Sequence, residues 1–336
     1  MQLLTGRPRF STSLALLVLA GFAILPLLAG WIDNPFLVRV GMRIIILAIA
    51  ASSLNLILGY GGMVSLGHAT FVGIAAYVVA IFNWHIGNSE ALMTWPVTVD
   101  GSANAWVVFP LAVCVSALAA LVIGFISLRT SGLFFIMITL AFAQMIFYFF
   151  ISLQKYGGED GTQLLLPLTF GAVSLSNRLV LYYLALIVLI AVLMLVDRLV
   201  KSRFGLVLQG SRQNDRRLEA IGYSTTRYKL AAFVIAGALA GVAGVLLAAS
   251  QQFVSPSALA WSRSGELVIM LVLGGVGTVF GPLFGALFYV LLELVLGTWT
   301  THWQIIFGPV FIIFVLATKN GLVGMADRWS RGRIRG

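Results

Sequence analysis

The chain has 336 residues, 60% of them hydrophobic and only 10% charged, against about a quarter charged in soluble domains. Its formal net charge is +10, but the basic residues lie between or beyond apolar runs rather than among exposed aromatics, which argues against a nucleic-acid surface. A single cysteine, Cys114, sits inside an apolar run and excludes both an intrachain disulfide and a zinc site built on cysteine pairs.

Apolar runs of about 17–25 residues, each enough to cross a bilayer, recur along the chain. They do not alternate as the strands of a membrane barrel do. The expected fold is an all-α polytopic membrane protein of about ten transmembrane helices with both termini cytoplasmic. In chain order the spans are 14–32, 36–58, 64–82, 106–126, 132–152, 179–196, 230–250, 266–280, 282–296 and 303–318. The first follows Arg7 and Arg9 and is longer than the ~7–15-residue core of a signal peptide, so it is read as a retained span. With this topology sixteen of the 21 Lys and Arg fall inside, while Asp33, Glu90, Asp100, Glu159, Asp160 and Glu266 fall outside. That is the positive-inside bias. A single span over 266–296 would put the C-terminal arginines outside, so charge favours a break at Gly281-Pro282.

The third span opens on GYGGMVSLGHATFVGIAAY, residues 59–77. Gly-rich interruptions at membrane depth mark places where backbone can line a cavity, so Gly62, Ser65 and His68 are candidates for a translocation path. His68 has two readings: it meets a polar solute, or it bonds a carbonyl freed by the turn. Thr139 and Gln144 lie mid-span in ITLAFAQM and join the candidate path; each bonds a solute or a neighbouring helix. Arg39, Arg43 and Glu293 are read as snorkelling towards the membrane surface. The turn YGGEDGTQ at 156–163 carries Gly and Asp for tight reversals.

Between the sixth and seventh spans, a basic cytoplasmic loop over 199–229 holds the most conspicuous polar segment. Ser211 is a helix-cap candidate and Gly222 a left-handed terminator, so 212–221 is expected to form about three helical turns. Leu218 and Ile221 share one face, Arg212 and Arg216 another. Such a helix can dock on a partner, or the loop can lie solvated beside anionic headgroups. In GALAGVAG, Gly237, Gly241 and Gly244 fall near one helix face and suit close packing. Gly275, Gly281 and Pro282 mark a hinge in GGVGTVFGPLFGA. Similar glycine-rich hairpins in the two halves suggest an internal repeat.

The sequence contains no G-x-x-x-x-G-K-[ST], no H-E-x-x-H and no G-x-S-x-G, so it has neither a phosphate cradle for ATP nor a recognisable enzyme site. Few acidic residues fall mid-membrane, which argues against a proton or sodium relay. A pore or carrier driven by a separate motor fits these features.

The blocks SLNLILGYGGMVSLGHATFVGIAAY, GLFFIMITLAFAQM, YGGEDG, SRFGLVLQGSRQNDRRLEAIGYSTTRYKLAAFVIAGALAGVAG, VSPSAL and GELVIMLVLGGVGTVFGPLFGA run in order through roughly residues 40–320. On these blocks the chain resembles the LivM-type permease subunits of branched-chain amino acid ABC importers. Urea-type permeases of the same superfamily share them. The resemblance implies one transmembrane permease domain over 1–336 in a bacterial inner membrane. It implies a second homologous permease, two cytoplasmic ATPases that carry the ATP and magnesium, and a periplasmic solute-binding protein. No cofactor is expected in this chain. The family's coupling loop matches Glu219-Ala220-x-Gly222, so Arg212, Asp215, Arg216, Leu218, Glu219, Ala220 and Gly222 become the expected ATPase-coupling residues. The alternatives are a urea or short-amide permease, and a stand-alone channel or ion-coupled carrier.

Overall fold

The computed structural model describes residues 9–88, 90–93, 99–171, 173–300, 302–318 and 321–325. Arg7, Lys319 and the arginines from Arg328 to Arg335 lie outside them, as does part of the polar loop between the third and fourth spans. The helices are α1 (Arg9–Trp31), α2 (Pro35–Asn55), α3 (His68–Gly87), α4 (Ala105–Ser127), α5 (Leu133–Ser152) and α6 (Arg178–Lys201). They continue with α7 (Arg203–Gln213), α8 (Asp215–Ala220), α9 (Thr225–Gln251), α10 (Trp261–Gly274), α11 (Gly281–Trp299) and α12 (Trp303–Ala317). Short strands join loops at one end of the bundle. β1 (Ala91–Met93) pairs with β2 (Val99–Asp100), β3 (Thr162–Gln163) with β6 (Phe253–Val254), and β4 (Thr169–Phe170) with β5 (Val173–Ser174), all antiparallel. This is the ribbon end; α7 and α8 form an elbow at the other.

Among the described residues, nine helical stretches are long and apolar enough to cross a membrane. The eighth expected span, 266–280, is the exception. Helix α10 starts earlier and stops at Gly274 after 14 residues, about 21 Å at 1.5 Å per residue, short of a ~30 Å hydrocarbon core. The apolar run continues, but Gly275 and Gly277 take positive φ, +121° and +77°, and the helix cannot propagate through them. The break before α11 is thus present, with Pro282 in its first turn, where a missing N–H costs nothing.

Asparagine side chains start three helices at the ribbon end. Asn34, Asn104 and Asn177 accept from the backbone N–H of Phe36, Trp106 and Leu179, satisfying donors that lipid cannot.

Helix α9 is the centre of the bundle, wedged among α2, α3 and α4. Its glycines allow this. A Cβ on Gly237 would lie 2.3 Å from the Ala120 Cβ, on Gly241 2.8 Å from the Ser116 Cβ, and on Gly244 2.1 Å from the Val72 carbonyl oxygen. Backbone approach of this kind replaces the hydrophobic drive that lipid removes. Ser116 pins the junction: its hydroxyl reaches the carbonyls of Phe71 at 3.0 Å and Gly237 at 2.8 Å. Gly241 and Gly244 both lie where a Cβ would meet a neighbouring helix at under 3 Å.

Two interruptions meet near the elbow end. Helix α2 widens into a π-helical turn over Leu56–Tyr60, and the chain then runs without helix until His68. The other interruption is the α10–α11 break. Asn55 clasps them: its amide nitrogen donates to the Thr278 carbonyl at 2.8 Å and its oxygen accepts from the Gly277 N–H at 3.0 Å. The clasp supplies partners for backbone freed at membrane depth. The two glycine-rich segments suspected of repeating one layout are therefore neighbours in space.

Candidate translocation and coupling site

The elbow departs from the single helix expected over 212–221. Asn214 has extended backbone (φ −160°, ψ 103°), ends α7 and caps α8 by accepting from the Arg217 N–H at 3.1 Å. Ser211 is not the cap; its hydroxyl donates to the Leu208 carbonyl at 2.8 Å. Asparagine in the middle of the motif offers the backbone a competing bond, and that competition splits the helix. The far end is as expected. Gly222 has φ +92°, Tyr223 N–H bonds the Leu218 carbonyl and Gly222 N–H the Glu219 carbonyl, a Schellman termination.

Three polar tethers hold the elbow. Lys229 on α9 pairs with Asp215. Thr225 donates to the Glu219 carboxylate at 2.8 Å. Arg212 donates to the Gly59 carbonyl in the π-helical end of α2 and lies against Gly62, where a Cβ would fall 2.7 Å from its Cγ. Leu218 sits on Gly210, 3.1 Å from where a Cβ would be. Ile221 does not share that contact: it is 66% exposed, and Leu206 and Tyr223 are exposed with it. Arg216 and Ala220 are also exposed, and Arg212 belongs to the other helix, so the expected Arg212–Arg216 face does not form. One Asp215 oxygen is buried without a hydrogen-bond partner.

Behind the elbow lies a cavity of about 420 Å³, bounded by Gly62, Val64, Arg129, Phe135, Arg212 and Lys229 among others. In chain order Ser65 and His68 follow Val64 and precede Ala69, which lines a cavity at the ribbon end. Both are fully buried. Ser65 accepts from the Gly67 N–H at 3.3 Å. His68 Nε2 meets the Ser53 hydroxyl at 2.8 Å, and Ser53 itself donates to the Ala50 carbonyl at 2.7 Å. A hydroxyl has one hydrogen, so Nε2 carries the proton of this contact. His68 therefore bonds a side chain, not the freed carbonyl expected, and touches neither cavity. Ser264 accepts from the Ala69 N–H at 2.9 Å and closes the layer from α10.

Thr139 is 1% exposed, and its hydroxyl donates to the Ile136 carbonyl of its own helix at 2.9 Å; it lines neither the elbow cavity nor the ribbon-end cavity. Its carbonyl would lie 2.5 Å from a Cβ on Gly67. Gln144 is half-buried on α5.

The ribbon-end cavity has two compartments, about 300 and 380 Å³, that share Arg43, Ser257, Arg263 and Glu266. Arg43 on α2 does not snorkel. It pairs with Glu293 on α11 through contacts of 2.8 and 2.9 Å. Arg263 pairs with Glu266 one turn along α10 at 2.9 and 3.1 Å. Sequence reasoning missed this quartet. Arg43 and Glu293 are 250 positions apart, and no local pattern links them; the signal in the sequence is ionisable residues set within or at the edge of apolar spans, where charge is costly unless paired.

A helical bundle entered by cavities from opposite ends and closed by a buried layer defines a membrane transport protein. Residues 36–316 match the family described as "Branched-chain amino acid transport system / permease component". The chain belongs to this family and is a permease component. It is 28% identical over 332 residues to the high-affinity branched-chain amino acid transport system permease protein LivM of Salmonella typhimurium, and 27% identical to that of Escherichia coli K12. Each match covers 90% of this chain and 74% of the relative. A probable branched-chain amino acid transport permease protein LivH of Methanocaldococcus jannaschii is 26% identical over 140 residues, 40% of this chain and 41% of the relative. No solved structure matches the chain.

Proposed function

We propose that this permease is one membrane subunit of an ATP-driven ABC importer of the bacterial inner membrane, and that it carries branched-chain or other neutral amino acids. It works beside a second, homologous permease. Two ATPases bind at the elbow end, which faces the cytoplasm, and hold the ATP and magnesium. A periplasmic solute-binding protein delivers the solute at the ribbon end.

The observation that carries this reading is the elbow. Its exposed surface presents Leu206, Ile221 and Tyr223 beside Arg216 and Arg217, a mixed apolar and basic face suited to a groove on a partner. Its inner side is tied to three places by single polar bonds. Closure of the ATPase dimer pushes α8; the push passes through Thr225 and Lys229 to α9, and through Arg212 to the Gly59 turn. Asn55 and Gly277 then carry it into α2, α10 and α11, whose other ends line the ribbon-end cavity. Rigid helices with polar pivots have two discrete arrangements that nucleotide can bias.

The test is Glu219→Arg with Gly222→Pro in the assembled complex in proteoliposomes. Proline cannot take the positive φ of Gly222, and the new arginine loses the Thr225 bond. ATP hydrolysis persists while ATP-dependent leucine uptake falls to background. Uptake that stays coupled in this variant rules out the elbow as the transmission element. Uptake of urea in place of leucine by the unaltered complex assigns the permease to the urea branch.

A further inference from the structure

Four charged side chains line the ribbon-end cavity, the carboxylates more buried than the guanidinium groups. Arg43 is eight residues into α2, about 12 Å below its start, and Glu293 six residues from the end of α11, about 9 Å below it. Ionisable groups at such depth are costly and mark solute paths by default. Two features narrow the ligand. The quartet is electroneutral, two guanidinium groups and two carboxylates, each already matched. A net charge entering it would be left uncompensated, whereas a molecule bearing one charge of each sign can exchange partners and keep the balance. The compartment lined by Arg43, Arg263 and Glu266 is also lined by Ile46, Val72 and Leu247, which adds apolar surface to the charges. Its volume of about 300 Å³ is within the range of small-molecule sites.

We propose that this cavity is a solute-binding subsite of the permease itself, specific for a zwitterionic amino acid with an apolar side chain. The inference rests on the amino acid transport reading above. The solute carboxylate sits between Arg43 and Arg263, where guanidinium donors form charge-assisted pairs. The ammonium takes Glu266. The side chain lies on Ile46, Val72 and Leu247. Glu293 touches only the second compartment; it is a positioning residue that holds the Arg43 guanidinium over the cavity. A neutral amide such as urea leaves both ion pairs undisturbed and gains little from them. Selectivity is thereby checked a second time, after the solute leaves its delivery protein.

The experiment is binding of tritiated L-leucine to the purified, assembled complex without nucleotide or binding protein, read by scintillation proximity. Competitors are 4-methylpentanoate, which lacks the ammonium, 3-methylbutylamine, which lacks the carboxylate, and urea. Leucine binds saturably, and none of the three displaces it at tenfold excess. Glu266→Gln and Arg263→Gln each weaken leucine binding at least about tenfold, the loss expected for a bond to a charged group. Both lie on one helix and share no bond between helices, and monodisperse elution of the complex reports their assembly. Glu90→Gln, on the exposed ribbon end, binds as the unaltered chain does. The subsite is overturned by variants that bind leucine with unaltered affinity, by absent leucine binding, or by displacement with urea. ATP-dependent leucine uptake, measured on the same complex with its binding protein, separates the two readings. Uptake without such binding sinks the subsite and leaves the transport reading, whereas absence of leucine uptake sinks both.

Discussion

The seam of α9 with α3 and α4 and the elbow of α7 and α8 are built on opposite rules. In the seam, backbone lies on backbone through Gly237, Gly241 and Gly244, and Ser116 bonds two helices at once. Nothing there can move without opening a void or a clash. In the elbow, α8 buries none of its residues and is held by side-chain bonds from Lys229 and Thr225, while α7 anchors it through buried Val207 and Leu208 and the Arg212 bond to Gly59. Polar bonds between flexible side chains can be exchanged at small cost. The difference separates the part of the permease that must stay rigid from the part that can pivot.

The sharpest way to break this contrast is a methyl group in the seam. Gly244→Ala places a Cβ against the Val72 carbonyl, which is backbone and cannot turn away. We expect a loss of about 3 kcal/mol and a steep fall in monodisperse yield, measured by size-exclusion chromatography. Normal yield would mean that the seam is looser than its distances indicate. Arg212→Ala comes next and separates coupling from stability. Its melting temperature stays within a few degrees of the unaltered complex, since one charge-assisted bond to Gly59 is worth about 2 kcal/mol, while leucine uptake per ATP falls at least about tenfold. If uptake and stability decline together, Arg212 is only a structural tether.

A smaller effect is expected from Lys229→Met. The pair with Asp215 is partly exposed, at 19% and 42% of the two side chains, so solvent screening limits its contribution to about 1 kcal/mol. Chemical denaturation of the detergent-solubilised complex measures it. The smallest effect lies at the ribbon-end surface. Lys155 hydrogen-bonds Glu90 at 2.7 Å and holds its carboxyl below the usual value. A lowered carboxyl contributes stability above its unfolded pKa of about 4.3 and loses it as pH falls through the folded value. Glu90→Gln should therefore melt like the unaltered chain in strong acid and slightly earlier at neutral pH, by differential scanning fluorimetry. A gap that widens in acid instead would reverse the sign of the interaction.

Spans, glycine packing and the Gly222 terminator were legible because they depend on local composition. Apolar runs located eight of the nine long helices to within a few residues at most ends, and the positions of Gly241 and Gly244 on one face followed from helical period alone. The third began later than its apolar run, because Gly62 and the residues after it carry the chain back into the bundle before His68 turns helical. The elbow was misread where two cap signals competed, Ser211 and Asn214, and only the tertiary setting of Arg212 against Gly59 chooses between them. The eighth span is placed about five residues too late in the sequence, because hydropathy counts Gly275 and Gly277 as membrane residues while their backbone angles stop a helix. Most of the site was illegible for a simpler reason. Arg43 with Glu293, and Asn55 with Gly277, are pairs made by topology, and a reading of windows sees only their separate halves.

The layer around Ser53, Ser65 and His68 has an electrical consequence. Where water fills the two cavities it carries the potentials of the two bulk phases inward, and the voltage across the bilayer then falls mainly over this packed layer. Moving one elementary charge through 100 mV takes about 2.3 kcal/mol. A solute whose two charges cancel does almost no net electrical work in crossing, and the driving force for its import is then set by nucleotide and concentration, independent of whether the membrane is polarised.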